Sequence, residues 1–246
     1  MIDQTAYAEI VRTAIERVLT EERHTIARAG EMIFDALRRG GVLQTFGTGH
    51  SREIALELVG RAGGLVPANQ LGIRDLVYYG DASPQDILDP KIERVPGLAE
   101  RIWNLADIRP QDVFVVISNS GGNAAIVEMA RLAVDRGHQV VGITSLAHTS
   151  RVPGERLIDL AHVVIDNGAP YGDAVVELPS GVGAVGAISS VTGALIAQLL
   201  VTEVVGHYAR AGEDAPVFIS ANTPVGDDHN DRLMLAYGSR VRLGDA

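Results

Sequence analysis

The chain has 246 residues, of which 46% are hydrophobic and 21% charged, a composition that supports one large buried core and excludes a disordered protein. Its formal net charge is −10 and no block of lysine or arginine offsets this charge locally, which excludes nucleic acid as an expected partner. It contains no cysteine, so a disulfide framework, a thiolate nucleophile and a thiolate metal site are excluded.

The opening residues lack a basic segment followed by an apolar core, so we expect no signal peptide and a cytoplasmic location. The longest apolar run covers residues 183–206, and it is interrupted by Ser189, Ser190, Thr192, Gln198 and Glu203. Such side chains are costly in a bilayer and ordinary in a buried helix. We therefore expect a buried helix in this run and no membrane span.

The first forty residues carry apolar side chains at spacings of three and four, which predicts helix, and Gly40 and Gly41 end the pattern. We interpret residues 1–40 as a helical arm. Residues 41–246 are predicted to form one domain that ends in a polar tail, to which the pattern assigns no secondary structure.

Beyond the arm, short runs rich in β-branched residues alternate with helical patterns. The strands are predicted at 42–46, 113–118, 139–144 and 162–166, and the helices at about 51–61, 97–106, 123–136 and 183–210. This alternation is typical of parallel strands buried on both faces. It predicts an α/β fold with a doubly wound, mostly parallel sheet of five strands, flavodoxin-like in type. The segment from Pro67 to Pro96 is the least regular, and we interpret it as an inserted loop region beside the sheet, where binding residues often lie.

Glycines and small polar residues follow the predicted strands, at the edge of the sheet where ligands bind in this architecture. They are Gly47, Thr48, Gly49, His50 and Ser51 after the first strand, then Ser118, Asn119, Ser120, Gly121, Gly122 and Asn123, and finally Thr144 and Ser145. At helix N-termini such residues form a phosphate site through backbone N–H groups and hydroxyls. The alternative is that they only cap helices and form turns.

Three common sequence motifs do not match these residues. A dinucleotide site needs a third glycine where the chain has Arg52, and a P-loop needs a lysine, but the only lysine is the distant Lys91. A hydrolase elbow needs a glycine where the chain has Glu53.

The remaining patterns, G-x-G-x-S at 47–51 and S-x-S-G-G-N at 118–123, resemble the sugar isomerase (SIS) domain family of phosphosugar enzymes and regulators. The resemblance covers roughly residues 40–210, and the segments DNGAPYGDAVVELP and SANTPVGDDHN are similar to a stand-alone bacterial subgroup. It implies that Ser118, Ser120 and the amides of residues 121–123 hold the phosphate of a sugar, with Ser51 reaching the same ligand. Asn123 departs from the family pattern, which commonly has Ser or Thr there.

The resemblance also implies a chemistry, the removal of the proton at C2 of an open-chain sugar phosphate. ELVGR at 57–61 is similar to the E-L-T-G-R stretch of the phosphoheptose isomerases, where the glutamate is the base, so Glu57 is the predicted base. From the residues alone, Glu53 and Glu57 lie four apart on one helix face, and the alternative is that both are solvated surface carboxylates.

His50, inside the first glycine loop, is the second catalytic candidate, which could help to open the sugar ring or hydrogen-bond a hydroxyl; the alternative is a partly exposed turn residue. Arg52, Asn69, Gln70 and Arg74 are candidates for the sugar end of the site, and His229 is a further candidate among the histidines. The histidines show no zinc-binding spacing, so we expect neither a metal nor another cofactor.

The resulting hypothesis is a lyase acting on an N-acetylhexosamine 6-phosphate by elimination, similar to the N-acetylmuramic acid 6-phosphate etherases. An aldose–ketose isomerase and a non-catalytic phosphosugar sensor are the alternatives. The partners expected are a small sugar phosphate and further copies of the chain, because the helical arm and the long apolar helix expose more apolar surface than one sheet covers.

Overall fold

The structure is a computed structural model that describes residues 2–242. Its strands are β1 Leu43–Gly47, β2 Ala68–Leu71, β3 Val113–Ile117, β4 Gln139–Thr144, β5 Val163–Asp166, β6 Ala174–Glu177 and β7 Ala184–Ala187. Its helices are α1 Gln4–Glu21, α2 Arg23–Arg38, α3 Ser51–Glu57, α4 Asp75–Tyr78, α5 Leu98–Trp103, α6 Ala124–Asp135, α7 Leu146–Thr149, α8 Leu157–Leu160, α9 Ser189–Ala211 and α10 Gly226–Met234.

Five strands form one parallel sheet in the order β2-β1-β3-β4-β5. On one face, apolar side chains of α1, α2, α3 and α9 pack against Leu43, Val115 and Ile143. On the other face, α4, α5, α6 and α8 pack against Phe46 and Phe114. Helices cover both faces, which confirms the predicted doubly wound α/β fold, and α2 packs into the core of one face.

The segment from Pro67 to Pro96 is more ordered than predicted, because it supplies the edge strand β2. The strand was missed because its central residues, Asn69 and Gln70, are polar. Both are buried, and the Asn69 amide donates to Gln44 Oε1 over 2.8 Å, while the Gln44 amide donates to Asp112 over 3.0 Å. This network satisfies polar groups inside the sheet at low cost.

The helix predicted from residue 183 begins instead at Ser189, and β6 and β7 form an antiparallel hairpin before it. Gly183 and Gly186 adopt positive φ angles of +87° and +77°, which suit a hairpin better than a helix. Asp173 then caps α9: its carboxylate accepts bonds from the N–H groups of Ile188 and Ser189 and from the Ser189 hydroxyl, at 2.6–3.0 Å.

The helix α9 is long and apolar enough to cross a membrane by length and composition. In the structure it lies on the sheet, next to α3 and α2. A Cβ atom on Gly193 would stand 3.0 Å from Ile54, and one on Gly30 would stand 2.7 Å from Glu203, so these glycines permit close helix packing. Its other side carries half-buried residues, among them Ala194, Leu195, Leu199 and Val205.

The tail contains α10 and then returns to the amino end of the sheet. There the buried Arg240 pairs with the buried carboxylate of Asp112, and its Nη1 atom donates to Gly40 O over 3.1 Å. Asp112 also accepts bonds from the N–H groups of Val42 and Arg109 at 2.9 and 3.1 Å. The tail therefore locks β1 and β3 together at their starting ends.

Candidate functional site

The strand order 2-1-3-4-5 places the topological switch point between β1 and β3. In open parallel sheets, ligands bind outside the carboxyl ends of the strands at this point. The two loops that leave these strands are residues 47–51 and 118–123, the segments that carry the predicted site.

The loop 118–123 is held by contacts with the neighbouring loop after β4. Gly121 has a φ of +67°, and its N–H donates to Ser118 Oγ over 3.1 Å. The carbonyl of Asn119 accepts bonds from Ser145 N–H and Thr144 Oγ1 at 3.2 and 3.3 Å. These bonds hold the loop 118–123, so the start of α6 lies beside the space between this loop and the loop 47–51.

Several donors at this helix start are unused. Within residues 2–242, no group accepts a hydrogen bond from the N–H groups of Gly122, Asn123, Ala124 or Ala125. Over the same range, the hydroxyl of Ser120 also makes no hydrogen bond. Because α6 has 12 residues, its N-terminus carries a partial positive charge, and this group of donors matches a phosphate. We call residues 120–125 the cradle.

Three predicted binding residues, Ser118, Thr144 and Ser145, make hydrogen bonds that support the cradle. Thr144 and Ser145 are fully buried; the Thr144 hydroxyl lies 2.9 Å from that of Thr149, and the Ser145 hydroxyl donates to Ala169 O over 2.5 Å. Ser118 is buried and accepts the bond from Gly121. Their side chains therefore help to fix the shape of the loop, and direct binding of the sugar by these residues stays a prediction.

A narrow cleft separates the cradle loop from the first glycine loop and the start of α9. Its lining includes His50, Ser51, Asn119, Asn167, Ser189 and Ser190. The predicted residue His50 thus lies at the cleft, where its side chain is exposed. Asn167, whose amide donates to Asn119 Oδ1 over 3.1 Å, was not predicted, although it directly follows a predicted strand.

The predicted base, Glu57, is the last residue of α3. Six residues separate it from Ser51, which corresponds to about 9 Å along a helix. Its carboxylate accepts a bond from Gln198 Nε2 on α9 over 2.7 Å and pairs with Arg61. Within one chain, Glu57 does not lie at the cradle, and Glu53 is exposed in the first turn of α3.

Another carboxylate does lie there. Glu93, in a short 3-10 turn before α5, accepts a bond from Asn123 Nδ2 over 2.9 Å. Its other oxygen stands 4.0 Å from where a Cβ atom on Gly49 would be. Glu93 therefore lies between the two loops, and the Asn123 amide holds it there instead of capping α6. No local pattern marks this residue in the irregular segment, so the sequence analysis did not name it.

The remaining predicted candidates, Arg52, Arg74 and His229, lie in two different places. Arg52 and Arg74 line a cavity of about 210 Å³ beside Gly49. His229 instead lies on α10, where its Nε2 atom is 3.0 Å from Val217 O, so it holds the tail and is not part of the cleft. Across the described range, no three histidine or acidic side chains are close enough together to hold a metal ion.

A parallel sheet with free N–H donors at its switch point defines an anion-binding α/β protein. Residues 6–145 match the SIS domain family, so the chain belongs to this family and is an SIS-domain phosphosugar-binding protein. A UPF0309 protein of Geobacillus kaustophilus is 33% identical over 246 residues, which cover 98% of this chain and 96% of the relative. A UPF0309 protein of Streptomyces avermitilis is 37% identical over 232 residues, 92% of each chain.

Solved structures share the fold at low identity. A phosphoheptose isomerase from Francisella tularensis superposes with a TM-score of 0.58 at 16% identity, over 82% of this chain and 96% of the isomerase. The NanR protein of Vibrio vulnificus complexed with ManNAc-6P gives a TM-score of 0.51 at 17% identity, over 95% of this chain and 67% of NanR. Both similarities concern the fold.

Proposed function

We propose that this protein is an enzyme of amino-sugar 6-phosphates that removes the C2 proton of an open-chain N-acetylhexosamine 6-phosphate with a glutamate. The observation that carries the proposal is the group of four unused backbone N–H donors at the start of α6, beside a free serine hydroxyl at the switch point. The phosphate binds there, and the sugar chain extends into the cleft toward His50 and Ser51.

Elimination is the favoured outcome. The base takes the proton from C2, the electron pair forms a C2–C3 double bond, the C3–O bond breaks, and the departing oxygen takes a proton. An exposed imidazole such as that of His50 is suited to supply this proton. Isomerisation is the alternative, and it needs a group that shuttles a proton between O1 and O2.

Two glutamates compete for the role of base. Glu57 is supported by the ELVGR stretch, whereas Glu93 is supported by its position between the cradle and Gly49. Because a base must come within hydrogen-bond reach of the proton it removes, Glu93 is the stronger candidate within one chain.

One-dimensional proton NMR of the protein with N-acetylglucosamine 6-phosphate in heavy water tests the proposal. We expect loss of the H2 signal and a new vinylic resonance. Loss of H2 together with ketose signals would indicate isomerisation. Broadened ligand lines with unchanged intensities would contradict an enzyme and favour the phosphosugar sensor.

The two bases are separated by Glu93→Gln and Glu57→Gln, measured by the same loss of H2. Glu93→Gln should lower turnover at least 100-fold while phosphosugar binding persists, because an amide cannot accept the proton. Glu57→Gln should change turnover by less than tenfold. The reverse order would return the role of base to Glu57.

Ser120→Ala tests the cradle. The variant should bind N-acetylglucosamine 6-phosphate about tenfold more weakly, the equivalent of one hydrogen bond to a charged group, and should bind the unphosphorylated sugar no more weakly than the unaltered protein does. Isothermal titration calorimetry measures both, with Ser180→Ala in the hairpin as control. An equal loss for both ligands would disprove phosphate binding at this loop.

The half-buried apolar residues on the outer face of α9, among them Leu195 and Leu199, support a homodimer or larger assembly, because apolar patches at the surface often mark interaction sites. Analytical ultracentrifugation should show no monomer at micromolar concentration.

A further inference from the structure

A second cavity, of about 370 Å³, lies at the carboxyl end of the edge strand β2, where the cradle residues do not reach. It is lined by Gln70, Gly72, Arg74, Asp75, Tyr78, Tyr79 and Arg242. The volume is in the range of small-molecule sites. The position after a parallel strand is also one where such folds bind ligands.

Arg242 is the feature of this cavity that needs explanation. Its guanidinium carbon lies 3.7 Å from the centre of the Tyr79 ring, and its Nη2 atom donates to Leu105 O. Its backbone N–H donates to Asn69 Oδ1 over 3.0 Å, which fixes the start of the side chain. The Nη1 atom is buried and has no hydrogen-bond acceptor among the residues the structure describes.

A buried guanidinium nitrogen without an acceptor is costly, and buried charges in proteins are normally paired. Arg242 lines the cavity in a fixed orientation, and a guanidinium group binds carboxylates through charge-assisted N–H bonds. The carboxylate that the cavity itself supplies is that of Asp75, whose Oδ2 atom accepts the Gly72 N–H over 3.0 Å. Burial raises the pKa of Asp75, and the nearby charges of Arg242 and Arg74 oppose this shift.

The other walls suit a hydroxylated ligand. Tyr78 and Tyr79 are 62% and 47% exposed as residues, so they offer apolar ring surface with a phenol at the edge. Gln70 and Asp75 add buried amide and carboxyl groups that can exchange hydrogen bonds with hydroxyls.

We propose that this cavity is a binding site for a small polyhydroxylated organic acid, with its carboxylate on Arg242 and its carbon skeleton against Tyr78 and Tyr79. The site is distinct from the cradle and does not depend on the proposed reaction. Arg74 lines both this cavity and the one beside Gly49, so the organic acid lies next to the phosphosugar site.

Saturation-transfer NMR with glucuronate as probe tests the site on the full chain, with methyl glucoside as the neutral counterpart. We expect glucuronate to bind with a millimolar Kd and methyl glucoside to bind at least tenfold more weakly. Arg242→Gln should weaken glucuronate binding at least tenfold, whereas Arg39→Gln, on an exposed arginine, and Ser120→Ala, in the cradle, should leave it unchanged.

Tyr79→Leu gives an independent check if Arg242→Gln lowers stability, because it removes the ring under the guanidinium and leaves the arginine in place; it should also weaken glucuronate binding. No binding of glucuronate, equal binding of methyl glucoside, or a loss in Ser120→Ala would overturn the proposal. Inorganic phosphate that displaces glucuronate at equal concentration would also overturn the assignment to an organic acid.

Discussion

Gly121 is the residue on which the cradle geometry depends most directly. Its φ of +67° is unfavourable for other residues, and a Cβ atom would stand 2.8 Å from the buried Thr149 Oγ1. Gly121→Ala should therefore displace the loop and weaken phosphosugar binding at least tenfold by calorimetry. Gly137→Ala is the matched control, because Gly137 has a φ of +83° with open space around it. Equal binding by both variants would show that the loop tolerates the displacement.

At the scale of single residues, the sequence identifies candidate site residues that follow strands. It does not identify residues that tertiary contacts bring to the site. Ser51 and Ser120 are predicted site residues because each lies in a loop that follows a buried apolar run at the ligand-binding end of the sheet. Glu93 reaches the site through a bond to Asn123, thirty residues later in the chain, and no spacing rule connects them. Thr144 and Ser145 also follow a strand, but their complete burial could not be predicted from the sequence.

The N-terminus of α9 depends on Asp173, which has a φ of +70° and still accepts three hydrogen bonds from the first turn. Asp173→Gly keeps this backbone conformation but removes the cap, and should lower the free energy of unfolding by about 1–2 kcal/mol. Asp173→Ala should lower it further, since alanine disfavours the left-handed region. Urea denaturation measures both, and an unchanged midpoint for Asp173→Gly would show that the cap is dispensable.

Most of the helices and strands could be predicted from the spacing of apolar residues, because this spacing differs between amphipathic helices and buried strands. The strand β2 was missed because Asn69 is stabilised by the Gln44 side chain on β1 and Gln70 by the Arg52 carbonyl in α3, and no local pattern shows these contacts. The second strand of the hairpin was predicted as the start of the long helix, because its residues are as apolar as those of the helix.

At the scale of the whole molecule, the buried pair Arg240–Asp112 joins the tail to the sheet. Arg240→Met leaves a buried carboxylate without its cation and should lower the free energy of unfolding by about 3–5 kcal/mol in urea denaturation. Arg131→Met breaks a solvent-exposed pair with Glu155 and should cause no measurable change, because water screens exposed charges. Similar losses in both variants would argue that burial does not govern these pairs.

The same pair has a consequence during protein synthesis. Arg240 follows Asp112 by 128 residues, and a ribosome that adds ~5–20 residues per second needs about 6–26 s for that length. Until then the Asp112 carboxylate between β1 and β3 has no cation beside it, and the starting ends of these two strands lack their ion pair with the tail. Resistance of this end of the sheet to proteases should therefore increase late in synthesis, after Arg240 has been added.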